Sequence, residues 1–147
     1  MKQNILTSNQ KLRHAKEMLA QARKVHGGNF IAGPMGTLYV SVIRAENLHG
    51  VNNSHVICYQ GNKHTQTKPA KGSSPNYGGQ QLMLEVDDDQ IPLVIQVLDI
   101  ENGLSQLETN IMFEDLKAEH LFKEEFWLST REEDPSAVRL RLKITYE

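Results

Sequence analysis

The 147-residue chain lacks the marks of a secreted, disulfide-stabilised or membrane-spanning protein. Its single cysteine, Cys58, excludes an intrachain disulfide and is typical of a reducing compartment. No stretch of about 18 apolar residues is present to cross a bilayer, and the opening residues MKQNILTSNQ lack the apolar core of a signal peptide. We therefore expect a cytoplasmic chain, either free or at the periphery of a membrane or a cytoskeletal assembly.

Sequence motifs of enzymes are also missing. The chain has no nucleophile elbow, P-loop or dinucleotide-binding fingerprint. No cysteine or carboxylate joins the six histidines at zinc-ligand spacing. Cys58 lies between apolar neighbours, which indicates a small core residue and not a nucleophile. We predict that the chain is not an enzyme and holds no catalytic residue.

The formal net charge of −2 hides an uneven distribution. Residues 1–26 contain six basic residues and one acidic residue, a net charge of +5, whereas residues 27–147 contain ten basic and 17 acidic residues, a net charge of −7. The acidic balance of the longer part disfavours a nucleic-acid partner. The sequence thus predicts a basic helical arm over 1–26, a Gly-rich linker over 27–35 and a domain over 36–147.

Residues 7–26 carry the pattern of an amphipathic helix. They contain neither glycine nor proline and are rich in good helix formers. Thr7 and Gln10 fit a capping box, and Gly27 and Gly28 follow as a stop signal. Apolar residues recur at spacings of three and four and form a narrow seam, which consists of Leu12, Ala15, Leu19 and Ala22.

Three roles for this seam stay open. It packs on the chain's own domain, as most helices of proteins do; it binds a protein partner or a second copy of the chain; or the helix lies on anionic lipid. A seam with two alanines is weak for a coiled coil, and the helix has no Trp or Phe to anchor it in lipid. The lipid role therefore ranks last.

From Gly36 onward the hydrophobic period changes to two, which is typical of β-strands with one buried face. The alternation is clearest near the C-terminus, where Leu140 and Leu142 alternate with Arg139 and Arg141. Eight candidate strands lie at 38–43, 55–60, 63–68, 81–86, 93–98, 110–113, 125–129 and 138–146. Short strands separated by turn signals predict an all-β fold, an eight-stranded antiparallel β-sandwich with an N-terminal amphipathic helix.

The order of motifs over residues 36–147 resembles a C2 domain. GTLYVSVIRAENL resembles the family's opening strand, SPNY resembles its N-P-x-W motif, and LVIQVLDIEN resembles its L-x-I-x-V-x-D-x-D strand. EEFWLS and the final alternating strand resemble the family's closing pattern. The resemblance implies a C2-like β-sandwich of the circular variant called type II topology, with Tyr77 and Trp127 in the core.

The resemblance also implies a calcium site, which the family builds from about five aspartates in loops at one end of the sandwich. Ca²⁺ prefers about six to eight oxygen ligands, and ligand charge sets its affinity. The first loop of this chain, HGVNN, has no carboxylate, and Ser54 replaces a family aspartate. Asp99 and Glu101 match the acidic pair of the third loop, and Glu108 is a candidate for the last acidic place. We predict no cofactor and no calcium, with Asp99 capping its own turn.

Two functions follow from the resemblance. The first is a non-catalytic, calcium-independent scaffold module that docks to a protein partner, with the basic arm as a second attachment point or a means of self-association. The alternative is a peripheral membrane module that binds anionic phospholipids, phosphoinositides above all, through a basic face formed by Lys63, His64, Lys68 and Lys71. Such a cluster is equally typical of a solvated edge strand. The only large apolar candidates for membrane-inserting loop tips are Leu104 and Leu107.

Overall fold

The alternating segments fold into two β-sheets that pack face to face, as a computed structural model that describes residues 5–7, 35–131 and 134–147 shows. The strands are β1 (Ile5–Thr7), β2 (Gly36–Glu46), β3 (Asn53–Gln60), β4 (Lys63–Gln66), β5 (Ala70–Lys71), β6 (Asn76–Val86), β7 (Leu93–Asp99), β8 (Ser105–Ile111), β9 (Glu125–Ser129) and β10 (Arg139–Tyr146). A short helix, α1 (Phe113–Ala118), joins β8 to β9. No helix in these ranges is long and apolar enough to cross a membrane.

The first sheet, sheet A, has the strand order β1-β9-β10-β2-β6, and the second, sheet B, has the order β4-β3-β7-β8 with β5 also paired to β3. Neighbouring strands are antiparallel, except that β1 runs parallel to β9. The C-terminal strand β10 lies between β9 and β2 and pairs with both. The type II topology stays a prediction.

The core lies between the sheets and follows from the alternation. In β10 the side chains of Leu140, Leu142 and Ile144 are fully buried, while the residues between them face outward. The inward residues of β7 in sheet B, such as Ile95 and Val97, are buried against them in one continuous cluster. Since two inner faces of alternating strands form a sandwich core, the predicted all-β sandwich is confirmed. The predicted number of eight strands is too low, because the described residues also form the short strands β1 and β5.

Local details differ from the predicted strands. The strand predicted over 110–113 is β8, which begins at Ser105, and Phe113 instead begins α1. The inward position of Thr109 weakens the apolar alternation that would have marked this strand. Strand β6 begins at Asn76, five residues before the predicted start, because Gly78 and Gly79 adopt positive φ angles and carry the strand through an irregular segment.

The N-terminal predictions fall mostly outside the described ranges. The helix predicted over 7–26 and the linker over 27–35 are described only at their ends, where Thr7 closes β1 and Met35 precedes β2. Residues Ile5–Thr7 pair in register with Trp127, Leu128 and Ser129 of β9. The arm and its seam therefore stay predictions beyond Thr7.

The loops fall at two ends of the sandwich. The register places Asn53 beside Lys71 and Ser54 beside Asp99, so the loops over 47–52, 72–75 and 100–104 share one end, the upper end. The loops over 61–62 and 87–92 share the opposite, lower end, where α1 also lies.

A buried hydrogen bond links the two sheets below the upper end. The hydroxyl of Tyr77 on β6 and Oγ of Ser54 on β3 lie 2.6 Å apart. Both side chains are at most 1% exposed, and burial raises the pKa of the Tyr77 hydroxyl. The predicted core position of Tyr77 is thus confirmed, and its hydroxyl is satisfied by a partner on the opposite sheet.

We expect Tyr77→Phe to lower the free energy of unfolding by about 1–2 kcal/mol, because it leaves the buried Ser54 hydroxyl without its partner. Urea denaturation followed by circular dichroism measures the loss. Tyr39→Phe is the matched control, because Tyr39 lies on the outward face of β2, and its loss should be within about 0.5 kcal/mol. Equal losses in the two variants would contradict a structural role for the Tyr77 hydroxyl.

Candidate functional site

The loop between β7 and β8 holds the acidic pair that the sequence singles out. Oδ1 of Asp99 accepts a hydrogen bond from the backbone N–H of Glu101 at 3.0 Å. The backbone carbonyl of Asp99 accepts one from the N–H of Gly103 at 2.9 Å. Asp99 is 3% exposed. The carboxylate therefore caps its own turn, as the sequence predicts, and stabilises the fold of the loop.

The second carboxylate of this pair is bonded across the upper end. Both carboxylate oxygens of Glu101 accept hydrogen bonds from Nδ2 of Asn52, each at 3.2 Å. The third acidic candidate, Glu108, lies opposite Gln96 on the outward face of sheet B, beyond the loop. The structure thus brings Asp99 and Glu101 together and places Glu108 elsewhere.

This set of donors does not fit a calcium cage. Ca²⁺ takes about six to eight oxygen ligands, and its affinity rises with the number of carboxylates. The upper end offers one carboxylate that holds a turn and one that is bound by an amide. Over the described ranges no group of three or more His, Cys, Asp or Glu side chains is placed to hold a metal ion.

The apolar tips of the upper end differ in part from those predicted. Leu104 is 61% exposed, but Leu107 is 2% exposed because it is an inward residue of β8. Ile100, which the sequence did not single out, is 40% exposed. The loop over 100–104 thus presents two apolar side chains to solvent.

The four residues of the predicted basic face are spread along the outer edge of sheet B. Nζ of Lys63 lies 3.1 Å from Oδ1 of Asp87 and 3.2 Å from Oε2 of Glu85. The hydrogen bond to Asp87 is the main cause that raises the pKa of Lys63. Lys63, the first residue of the predicted basic face, is therefore paired. Its ion pairs connect the edge of sheet B to β6 of sheet A.

The other members of the basic face are exposed but separated. The ring centroid of His64 lies 5.8 Å from that of Tyr59, its partner in β3, whereas Lys71 pairs with Asn53 of the same strand. Six residues of β3 separate these positions, a distance of about 20 Å. Lys68 and Lys71 are exposed at the upper part of the edge. The structure does not gather the four residues into one compact cluster.

The outward face of sheet A carries a cluster that the sequence did not single out. The guanidinium carbons of Arg139, Arg141 and Arg44 lie 4.6, 5.4 and 5.5 Å from the ring centroid of Trp127. These distances are within the range of cation–π attraction. We call these four residues, with Lys143 on the same face of β10, the arginine–tryptophan face.

The register of three strands builds this face. Arg141 of β10 lies opposite Trp127 of β9 and opposite Arg44 of β2. The prediction of a core position for Trp127 is wrong, because Phe126 and Leu128 occupy the inward positions of β9 and turn Trp127 outward. The alternation of β10 was visible in the sequence, but its neighbours in the sheet were not.

Two glutamates lie among the arginines. Glu46 lies 3.2 Å from Arg139 and 3.7 Å from Arg44, and Glu125 lies 3.1 Å from Nε of Arg141. The Arg44 side chain is nevertheless 52% exposed. The face is therefore an interleaved set of charges around one aromatic ring, with a surplus of cations.

Two places in the structure were candidates for a nucleophile: the cavity at the lower end and the single cysteine, Cys58. The cavity, of about 340 Å³, lies between α1 and the end of β10 and includes the rings of Phe113, Phe122 and Tyr146. Among the described residues that line it there is no cysteine, serine or histidine. Cys58 is fully buried, and burial raises the pKa of its thiol to about 12, so it is not a nucleophile in the folded chain.

The family model of the C2 domain matches residues 36–135. This range covers all strands of sheet B, strands β2, β6 and β9 of sheet A, and the loops over 47–52, 72–75 and 100–104. The chain belongs to the C2 domain family. A comparison with curated protein sequences finds no match.

Solved structures share the fold at low sequence identity. The tandem C2 domains, A and B, of Extended-Synaptotagmin 2 align with a TM-score of 0.62 and 19% identity over 80% of this chain and 44% of that chain. The first C2 domain, domain A, of plant Extended Synaptotagmin 1 aligns with a TM-score of 0.60 and 19% identity over 79% of this chain and 97% of that one. The alignments thus span less than half of the two-domain protein and nearly all of a single C2 domain.

A more distant structure covers more of the chain. CC2D1B, described as coordinating ESCRT-III activity during the mitotic reformation of the nuclear envelope, aligns with a TM-score of 0.53 and 9% identity. The alignment covers 92% of this chain and 71% of that one. At these identities the likeness shows the fold alone.

Proposed function

We propose that the chain is a non-catalytic, calcium-independent C2 module that docks to a protein partner in the cytoplasm. The observation that carries the proposal is the Asn52–Glu101 pair, which bonds an amide to the carboxylate at a family calcium position. With Asp99 bonded to its own turn, hydrogen bonds of the protein connect the first and third loops of the upper end. The module therefore binds its partner without a calcium signal.

The calcium part of the proposal predicts that the stability of the chain is insensitive to calcium. A site with a dissociation constant of about 10 μM would stabilise the fold by about 2.7 kcal/mol at about 1 mM Ca²⁺ and shift the melting temperature by several degrees. We expect no shift between millimolar Ca²⁺ and EGTA in thermal unfolding, and no saturable heat in calorimetric titration. Glu101→Gln is the matched control and should behave like the wild type. A calcium-dependent shift that Glu101→Gln abolishes would overturn calcium independence.

The predicted seam on the arm supplies the second attachment point in this proposal. Leu12→Glu with Leu19→Glu places charge on the seam, and we expect it to reduce the capture of the partner from cell lysate by at least about tenfold. Capture by the wild type should resist added salt, because apolar contacts are not screened. Gln10→Glu with Gln21→Glu adds the same charge away from the seam and is the matched control.

The seam variants also separate docking from self-association. Light scattering of the purified chain measures its mass, and a wild-type dimer that the seam variant dissociates would assign the seam to self-association. Equal capture by the seam variant and its control would mean that the seam packs on the chain's own domain or has no binding role. Either result would remove the arm from partner binding.

Anionic phospholipid is the second candidate partner, and the exposure of Lys68 and Lys71 favours it. Against it, Lys63 is already paired with two carboxylates, and His64 lies about 20 Å along the edge from Lys71. Basic residues near an anionic membrane contribute about 1 kcal/mol each, so Lys68 and Lys71 alone give weak binding. Protein docking is therefore the better supported function.

Liposome flotation decides between the two partners. We expect the wild type and Lys68→Glu with Lys71→Glu to float equally with vesicles that contain phosphoinositide, and no better than with neutral phosphatidylcholine vesicles. Lys63 is left unchanged because its substitution would break the ion pairs to Glu85 and Asp87. Phosphoinositide-dependent flotation that the double variant loses would establish the lipid function in place of protein docking.

A further inference from the structure

The arginine–tryptophan face is arranged at a cost to the fold. Arg44 and Arg141 lie directly opposite each other on neighbouring strands, and like charges in such cross-strand pairs are destabilising. Nε of Arg139 is buried and has no hydrogen-bond partner among the described residues. The core of the sandwich does not require arginine at positions 44, 139 and 141, because the three guanidinium groups lie on the outward face of sheet A. A ligand that accepts hydrogen bonds would remove part of this cost.

The face keeps many donors available. Each guanidinium has five N–H groups, and the hydrogen bond of Arg141 to Glu125 uses only Nε. Arg44 is half exposed, and among the described residues it makes one ion pair, with Glu46 at 3.7 Å. Because a guanidinium presents its N–H groups as a planar fork, the free edges of Arg44 and Arg141 suit a carboxylate ligand.

An apolar contact lies farther along the same face. Tyr39 of β2 pairs with Met83 of β6, and the Met83 side chain is 62% exposed. Both are outward residues of sheet A, like Arg44. Because of the bulge at Ile43, the distance from Tyr39 to Arg44 equals that from Thr145 to Arg141 on β10, four residues or about 13 Å, which an extended peptide spans with about four residues.

We propose that the arginine–tryptophan face docks an acidic peptide segment of the protein partner. The peptide carboxylates bind Arg44 and Arg141 beside the Trp127 ring, and an apolar side chain about four residues away contacts Met83 and Tyr39. This inference rests on the proposed docking function and names its surface. It does not involve the upper end or the basic residues of sheet B.

Charge favours a peptide over the other occupants of such a face. The four cations of the face are interleaved with Glu46 and Glu125, a surplus of two positive charges. An anionic membrane attracts every cation but repels both glutamates, whereas a peptide places its carboxylates between them. The sequence of residues 1–26 has a net charge of +5, the same sign as the face, so charge does not favour this segment as the occupant.

The single tryptophan of the chain makes the test direct, because all tryptophan emission comes from Trp127. The probe is a synthetic ten-residue peptide with two adjacent glutamates and a leucine about four residues away, and its control has glutamines in place of the glutamates. We expect the acidic peptide to change the Trp127 emission saturably and the neutral peptide to leave it unchanged. The apparent affinity should fall with added salt.

Variants of the full chain assign the effect to the face. Arg44→Gln with Arg141→Gln should weaken acidic-peptide binding by at least about tenfold, and Met83→Ser should weaken it by less. Lys68→Gln with Lys71→Gln removes the same charge from sheet B and should leave the affinity unchanged. If the glutamine variant does not fold, Arg44→Lys with Arg141→Lys takes its place. It keeps the charge and removes the planar guanidinium fork, so a loss of affinity for the acidic peptide assigns binding to the fork.

Three outcomes would overturn the proposal. The first is that the emission does not respond to the acidic peptide. The second is that Arg44→Gln with Arg141→Gln and Lys68→Gln with Lys71→Gln lose the same affinity. The third is that anionic vesicles change the emission while the peptide does not. Capture of the lysate partner separates these failures from a failure of the proposed function. If Arg44→Gln with Arg141→Gln captures the partner as the wild type does, docking stands and this surface is wrong. If the wild type captures no partner, the docking function itself fails.

Discussion

Strand β10 pairs with β2 on one side and with β9 on the other, and its register determines both faces of sheet A. Leu140, Leu142 and Ile144 complete the core that holds the sheets together. The residues between them create the outer face, where Arg141 meets Trp127 and Arg44. A one-residue slip of this strand would exchange the two sets, burying the arginines and exposing the leucines. The stability of the sandwich and the chemistry of its surface therefore depend on the same pairing.

The upper end shows how the C2 fold is held here without the usual density of carboxylates. Asp99 stabilises its own turn, and the amide of Asn52 ties the first loop to the third through Glu101. The Ser54–Tyr77 hydrogen bond joins the two sheets just below. These hydrogen bonds connect the loops over 47–52 and 100–104 through side chains of the protein itself.

Much of the fold could be predicted from the sequence because the inward residues of β2, β7 and β10 alternate over most of each strand. The strand order could not, because pairing partners are distant in the chain. Arg44 illustrates the limit. Strict alternation from Leu38 places Arg44 on the core side, but a bulge at Ile43 turns it outward, opposite Arg141. The neighbours of a loop residue often belong to another loop that is distant in the sequence. The pairing of Asn52 in the first loop with Glu101 in the third therefore could not be predicted.

The short strand β1 changes how the N-terminal segment is to be understood. Residues Ile5–Thr7 are hydrogen-bonded along β9, and Met35 donates a backbone hydrogen bond to Val86 beside the start of β2. Ile5–Thr7 thus cover the edge of β9, and Met35 extends the pairing of β2 with β6 at the start of β2. Because β1 takes up backbone donors and acceptors along β9, that strand does not offer an open edge for pairing with another chain.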